Sequence, residues 1–448
     1  MAMSARVDDQ AYFDDLISWV SGRLQGSEVI LATLTGERSE FIRFNNADVR
    51  QAGSVLQSHL ELDLIEEQRH TQGSVQLARD VDVDRARVSR LVELLRAQRR
   101  SVPDDPFLLF NTEPASSESV RPSELPASED ALAEIRRGAA GHDLVGIYAA
   151  GDMFTGFANS LGQRNWHQSA TFNLDWSFHL RADKAAKNLY AGFEWDDAAF
   201  ERKAAWSRQQ LSVLDRGPID IEPGGHRTYL SPSALHELLD LWSWSSFGEK
   251  SHRTRQTPLL HMITDGATLA PSVTFTEDTS GGVAPNFQEA GFVRPDEVVL
   301  IDAGAYHDTL VSPRSAREYG VATNGASRWE SPQSLAVTPG DLRADAATEM
   351  LGTGLYVGNL WYTNFSDRPA CRTTGMTRFA TFWAEDGEIV APVNVMRFDD
   401  TIYNLLGSRL VALTDEADVI FDSSTYDQRS TASVRLPGAL VEEMTFTL

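Results

Sequence analysis

The chain reads as an α+β protein: an N-terminal α/β domain with an antiparallel sheet and flanking helices, then a β-rich C-terminal domain. Three observations predict it. At 448 residues the chain exceeds what one hydrophobic core usually holds. Residues 111–128 are rich in Ser, Pro and Glu with almost nothing to bury, the composition of a linker. Beyond residue 144 the pattern is mainly that of strands. The expected division is an N-terminal α/β domain over 1–110, a linker over 111–128, a joining segment over 129–220 and a β-rich domain over 221–448.

The elements follow in order. Phe13, Leu16, Ile17, Val20 and Leu24 recur at helical spacing, which predicts an amphipathic helix over 9–24. Strand patterns cover 29–34, 40–44, 60–65 and 74–77, with a turn at Asn45-Asn46. A helix over 84–99 shares Val88, Leu91, Val92 and Leu95 on one face, with Asp82 or Asp84 as its cap. A helix over 129–140 precedes a strand at 144–149. Strands are then expected at 171–181, 187–193, 272–275, 297–301 and 309–311, interrupted by helices over 198–214 and 231–247. Ser231-Pro232 suits the start of the latter, since Pro at the first helical position loses no hydrogen bond. Its apolar face is Leu235, Leu238, Leu239 and Trp242. The aromatic stretch 352–393 holds strand-like runs at 355–360 and 379–384 around a polar segment. Asp386-Gly387 then predicts a hairpin turn into 389–395.

Composition narrows the function. The formal charge is −24, with 64 acidic against 40 basic residues, a field that repels nucleic acid. No apolar run is long enough to span a bilayer, and the N-terminus lacks the order of a secretory signal, so a cytoplasmic protein with no membrane partner is expected. The single cysteine, Cys371, excludes an intrachain disulfide and fits a reducing compartment.

Candidate chemistry is sparse. His236-Glu237 lies on a predicted helix, yet no second His follows at the spacing of a helical zinc site. His226 and His252 fall in expected loops. Cys371 sits between Arg368 and Arg372, which would lower a thiol pKa, but a nucleophilic Cys also needs an adjacent His. Gly281-Gly282 reads as a tight loop rather than a phosphate cradle. Two polar-aromatic clusters, Gln163–His167 and Lys250–Gln256, carry the residue mix of peptide clefts. Trp166, His167, His236, Arg253 and Arg255 are therefore the candidate peptide-binding residues; no catalytic or metal-binding residue is assigned.

Residues 309–326, TLVSPRSAREYGVATNGA, resemble the C-terminal signature of the TldD/PmbA family, a short strand leading to a Ser-Ala-Arg helix and a polar loop. Val337–Asp341, Gly354–Val357, Phe382–Ile389 and Pro392-Val393 resemble its closing blocks, and Phe44–Arg50 its N-terminal sheet. The likeness is closest to the TldE (PmbA) branch. It implies an N-terminal α/β domain, a barrel-like C-terminal domain, and a TldD/TldE-type heterodimer that degrades unfolded peptides. It also implies that zinc belongs to the TldD-like partner, on a His-Glu-x-x-x-His helix and a Cys near the C-terminus. Here the matching helix start reads Ser231-Pro232-Ser233-Ala234-Leu235-His236, and the C-terminal segment Asp422-Ser423-Ser424-Thr425. The expectation is thus a metal-free, non-catalytic subunit with no cofactor of its own, shaping a peptide cleft. Two alternatives stand beside it. One is a self-sufficient metallopeptidase homodimer using His236, Glu237 and His252 or Cys371; the other is a peptide-binding module without hydrolysis, using Trp166, His167, Arg253 and Arg255.

Overall fold

Residues 9–181 and 184–448 are described by the structure, a computed structural model. The first layer opens with α1 (Asp9–Ser21), which buries Phe13, Leu16, Ile17 and Val20, the face its spacing predicts. Next come β1 (Val29–Asn45), β2 (Asp48–Glu66) and β3 (Arg69–Gln76), an antiparallel meander. Asn46 and Ala47 turn β1 into β2 at φ 53° and 56°, the left-handed pair that a two-residue hairpin turn requires. After β3 comes α2 (Val81–Arg99), and its cap is Asp80, which accepts from the amides of Asp82 and Val83. The expected caps Asp82 and Asp84 lie inside the helix. Asp84 is buried and accepts instead from Tyr12 Oη at 2.7 Å and from the amides of Ala78 and Arg79. A buried carboxylate needs such donors, so tertiary demand overrides the local cap.

The layer is completed by β4 (Ser117–Arg121), α3 (Ser128–Gly138), β5 (Asp143–Asn159), β6 (Arg164–Arg181), β7 (Lys184–Gly192) and α4 (Asp197–Leu214). Its 7-stranded sheet runs β3-β2-β1-β5-β6-β4, with β7 also paired to β6. The stretch read as a linker therefore contributes a strand, β4, parallel to β6. Residues 143–192 belong to the same sheet as residues 29–76, so this layer continues well past residue 110.

The second layer contains β8 (Gly224–Leu230), α5 (Pro232–Ser243), α6 (Glu249–Arg253), α7 (Leu260–Thr264), β9 (Phe275–Asp278), β10 (Glu297–Asp302), β11 (Ala305–Tyr306) and α8 (Pro313–Tyr319). It closes with β12 (Ser334–Val337), α9 (Ala347–Leu351), β13 (Gly354–Asp367), β14 (Arg372–Glu385), β15 (Glu388–Pro392), β16 (Arg397–Thr401), β17 (Leu410–Phe421) and β18 (Ser433–Phe446). The 11-stranded sheet runs β11-β10-β9-β12-β18-β16-β14-β13-β8, and β8 also pairs with β18. That last pairing closes β18, β16, β14, β13 and β8 into a ring, the barrel-like arrangement expected. Asp386 and Gly387, at φ 50° and 87°, make the predicted turn from β14 to β15. Two expected strands shrink. Residues 272–274 are irregular ahead of β9, and 309–311 give only an isolated bridge, Leu310 with Gly248. Among the described residues no helix is long and apolar enough to cross a membrane.

Candidate functional site: a cleft between the two layers

One residue, Ser231, separates β8 from α5. Its Oγ accepts from the Ala234 amide at 3.2 Å, capping the helix, and donates to the carbonyl of Gly358 on β13 at 2.7 Å. The helix then lays Leu235, Leu238, Leu239 and Trp242 into the barrel core. Trp242 Nε1 donates to Thr373 Oγ1 at 2.8 Å, so even the indole's polar edge is satisfied.

Opposite Gly358 the ladder bulges. Val357 pairs with Thr381 and Asn359 with Arg378, so β14 carries one residue more than β13 over this interval. Phe379 absorbs the difference at φ 57°, a conformation that bulky residues rarely adopt. Gly358 is needed here because a Cβ would stand 2.6 Å from the Ala380 carbonyl oxygen. The bulge presents Arg378 between two rings, its guanidinium carbon 3.7 Å from the Trp361 centroid and 4.5 Å from that of Phe379. Both are cation–π distances.

Arg378, Phe379 and Trp361 form one wall of a cavity of about 410 Å³. The facing wall comes from the first sheet, with Ser177 and His179 on β6 and Lys184 and Ala185 on β7. The volume lies within the range of small-ligand pockets. Near this cleft, burial pushes the Glu237 carboxyl up, a rise opposed by Lys187 and Arg378 and reinforced by Asp240 and Asp175. Lys187 Nζ pairs with Asp175 at 3.2 Å. Burial pushes the His236 imidazole down; Asp240 and Asp422 oppose this and Lys187 adds to it. His236 Nδ1 is buried and makes no hydrogen bond among the described residues.

The candidates from sequence are dispersed. Trp166 is 2% exposed and stacks on Phe154, ring centroids 5.6 Å apart, in the core of the first layer. His167 is buried beside it in sequence but points the other way, as alternation along a strand requires, and its Nε2 donates to the Val283 carbonyl at 2.9 Å. Burial pushes its pKa down. Arg253 is exposed on α6 and its Nε donates to Glu249 at 2.7 Å; Arg255 is exposed just beyond. None of the five lines the cavity, and Arg378, which does, was missed. The signal for Arg378 was the aromatic density of 352–393, but its clamp depends on a bulge that no local rule announces.

The residues do not fit a zinc site. His252 Nε2 donates to the Ser246 carbonyl at 2.7 Å and His226 Nε2 to that of Glu222 at 2.8 Å, and among the described residues neither imidazole belongs to a group of three ligand-type side chains. Ser231 is committed to its cap and Pro232 offers no donor atom. Cys371 is fully buried, and burial raises its thiol pKa, so it rests protonated. Among the described residues no three His, Cys, Asp or Glu side chains converge as ligands, where zinc needs at least three.

A helix-and-sheet layer joined to a ring of strands, with a cleft between them, defines a two-layer α+β class. Within it, residues 223–448 match the PmbA/TldA metallopeptidase C-terminal domain, and the chain belongs to the PmbA/TldD family. Solved structures share the fold. TldE from Thermococcus kodakarensis superposes with a TM-score of 0.77 at 15% identity, covering 98% of this chain and 100% of that one. A Thermotoga maritima protein, named as a suggested modulator of DNA gyrase, gives 0.73 at 13% identity over 98% of this chain and 100% of its own. A Bacteroides thetaiotaomicron protein named in the same way gives 0.73 at 16% identity, over 97% and 98%. No curated protein matches by sequence.

Proposed function

We propose that this chain is the TldE-like, metal-free subunit of a cytoplasmic TldD/TldE-type peptidase that acts on unfolded peptides. Its part is to shape the peptide cleft and support a zinc-bearing TldD-like partner. One observation carries the reading: where the family's zinc helix begins, this chain has a capping Ser231 and a Pro232, leaving His236 as the one matching imidazole. A lone imidazole cannot retain zinc, and proline cannot activate water. His236, Arg253 and Arg255 are the proposed peptide contacts, the two exposed guanidinium groups being offered to peptide carboxylates or carbonyls. Trp166 and His167 act from behind, Trp166 by packing on Phe154 inside the first layer and His167 by its bond to the Val283 carbonyl of the second.

Co-expression with a TldD-type subunit tests this. A 1:1 complex that cleaves an unfolded peptide, with neither subunit active alone, is the expected result. Full peptidase activity from this chain by itself would overturn it.

A further inference from the structure

We propose that Arg378 is the carboxylate-recognition residue of the interlayer cleft, and that the cleft takes a short extended peptide by a carboxylate group. This rests on the peptide-cleft reading above and names what the cleft selects. Four observations point the same way. The guanidinium is held between the Trp361 and Phe379 rings at 3.7 and 4.5 Å, so its position is set before any ligand arrives. Among the described residues no carboxylate or carbonyl accepts a hydrogen bond from it, which leaves its forked donors for a ligand. The described lining of the 410 Å³ cavity contains Arg378, Lys184 and His179 but no Asp or Glu, in a chain whose formal charge is −24. That is a cationic lining set against the molecule's overall sign, with the Glu237 carboxyl, which also feels Arg378, outside the lining. Val145, Met376, Val393 and Val395 supply apolar wall for the side chains of a peptide.

The bulge points the same way. Phe379 is held at φ 57° and Gly358 has no room for a Cβ, so the fold sustains a costly backbone here. What that backbone achieves is the placement of Phe379 against Arg378. A carboxylate meeting a fixed guanidinium makes two parallel N–H···O bonds, a geometry that a Lys cannot reproduce.

The carboxylate has two possible sources, a peptide C-terminus or an Asp or Glu side chain, and three fluorescein-labelled peptides separate them. The first is an apolar hexapeptide with a free C-terminal carboxylate. The second is its C-terminal amide, and the third the amide with one internal Glu. Binding to the full chain is read by anisotropy. Wild type should bind the first or the third peptide about tenfold or more tighter than the second, and R378A should remove that preference. Tight binding of the first assigns the C-terminus; tight binding of the third assigns a side chain. R378Q repeats the test with a side chain of similar reach if R378A fails to fold by circular dichroism. Equal binding of all three peptides to wild type overturns the proposal, as does no binding of any, or a preference that survives both variants. No partner subunit enters the assay, so a failure here leaves the pairing proposal standing, and a failure of pairing leaves this one standing.

Discussion

At the scale of single residues, several positions hold backbone or charge against its preference. Gly358 is the sharpest. A methyl group there meets the Ala380 carbonyl oxygen at 2.6 Å, against backbone rather than a flexible side chain. Gly358→Ala should destabilise the chain by about 1–3 kcal/mol, the usual cost of overpacking, seen as a lower urea midpoint with unchanged slope. Glu237 makes a second case. Burial raises its pKa above the ordinary 4.5, so its ionisation opposes folding as pH rises through the raised value. Glu237→Gln should therefore melt higher than wild type at neutral pH, and the gap should close as pH falls toward 4.5. A variant that melts lower at neutral pH would mean that Glu237 is stabilised by its charge. The clamp on Arg378 was not legible in the sequence. Trp361 and Phe379 reach it only because the ladder slips by one residue, and register is a property of two strands rather than one.

At the scale of elements, the sequence was most legible where structure is decided locally. Ser231-Pro232 starts α5 and Asp386-Gly387 makes its hairpin, because each depends on the φ preference or side-chain reach of neighbouring residues, whereas the turn expected at Asn45-Asn46 falls one residue later, at Asn46-Ala47. It was least legible where a distant partner decides. Residues 117–121 look like linker until β6 offers them a ladder, and Asp84 looks like a cap until Tyr12 and two amides claim it. The end of α2 is similar. Arg96 and Arg99 reach the buried Glu28 at 2.8 and 3.0 Å, joining the helix to the start of β1. Burial alone would raise the Glu28 pKa, but hydrogen bonds from Arg96, the Gln25 amide and Arg99 outweigh it and leave it below 4.5. Glu28→Ala leaves Arg96 to Glu93 and Arg99 to Glu66, both partners more exposed than Glu28, and should cost about 3 kcal/mol in urea unfolding.

At the scale of the whole molecule, the proposed site lies where two layers meet, a place that length, composition and motifs do not locate. His167 ties the layers by its bond to Val283, and His236 lies near the first sheet's Lys187. Burial depresses both imidazole pKa values below 6.5, so the unfolded chain takes up protons first as pH falls. Stability should therefore decline on acidification below 6.5, and His167→Gln should flatten that decline, as read by melting temperature across pH. The central claim is that the fold of a metallopeptidase family here lacks the ligands for its metal. Elemental analysis of the purified chain, dialysed after exposure to excess zinc, tests it most directly. Zinc should be found far below one ion per chain, unchanged by His236→Ala. One tightly held zinc per chain, lost in that variant, would contradict it.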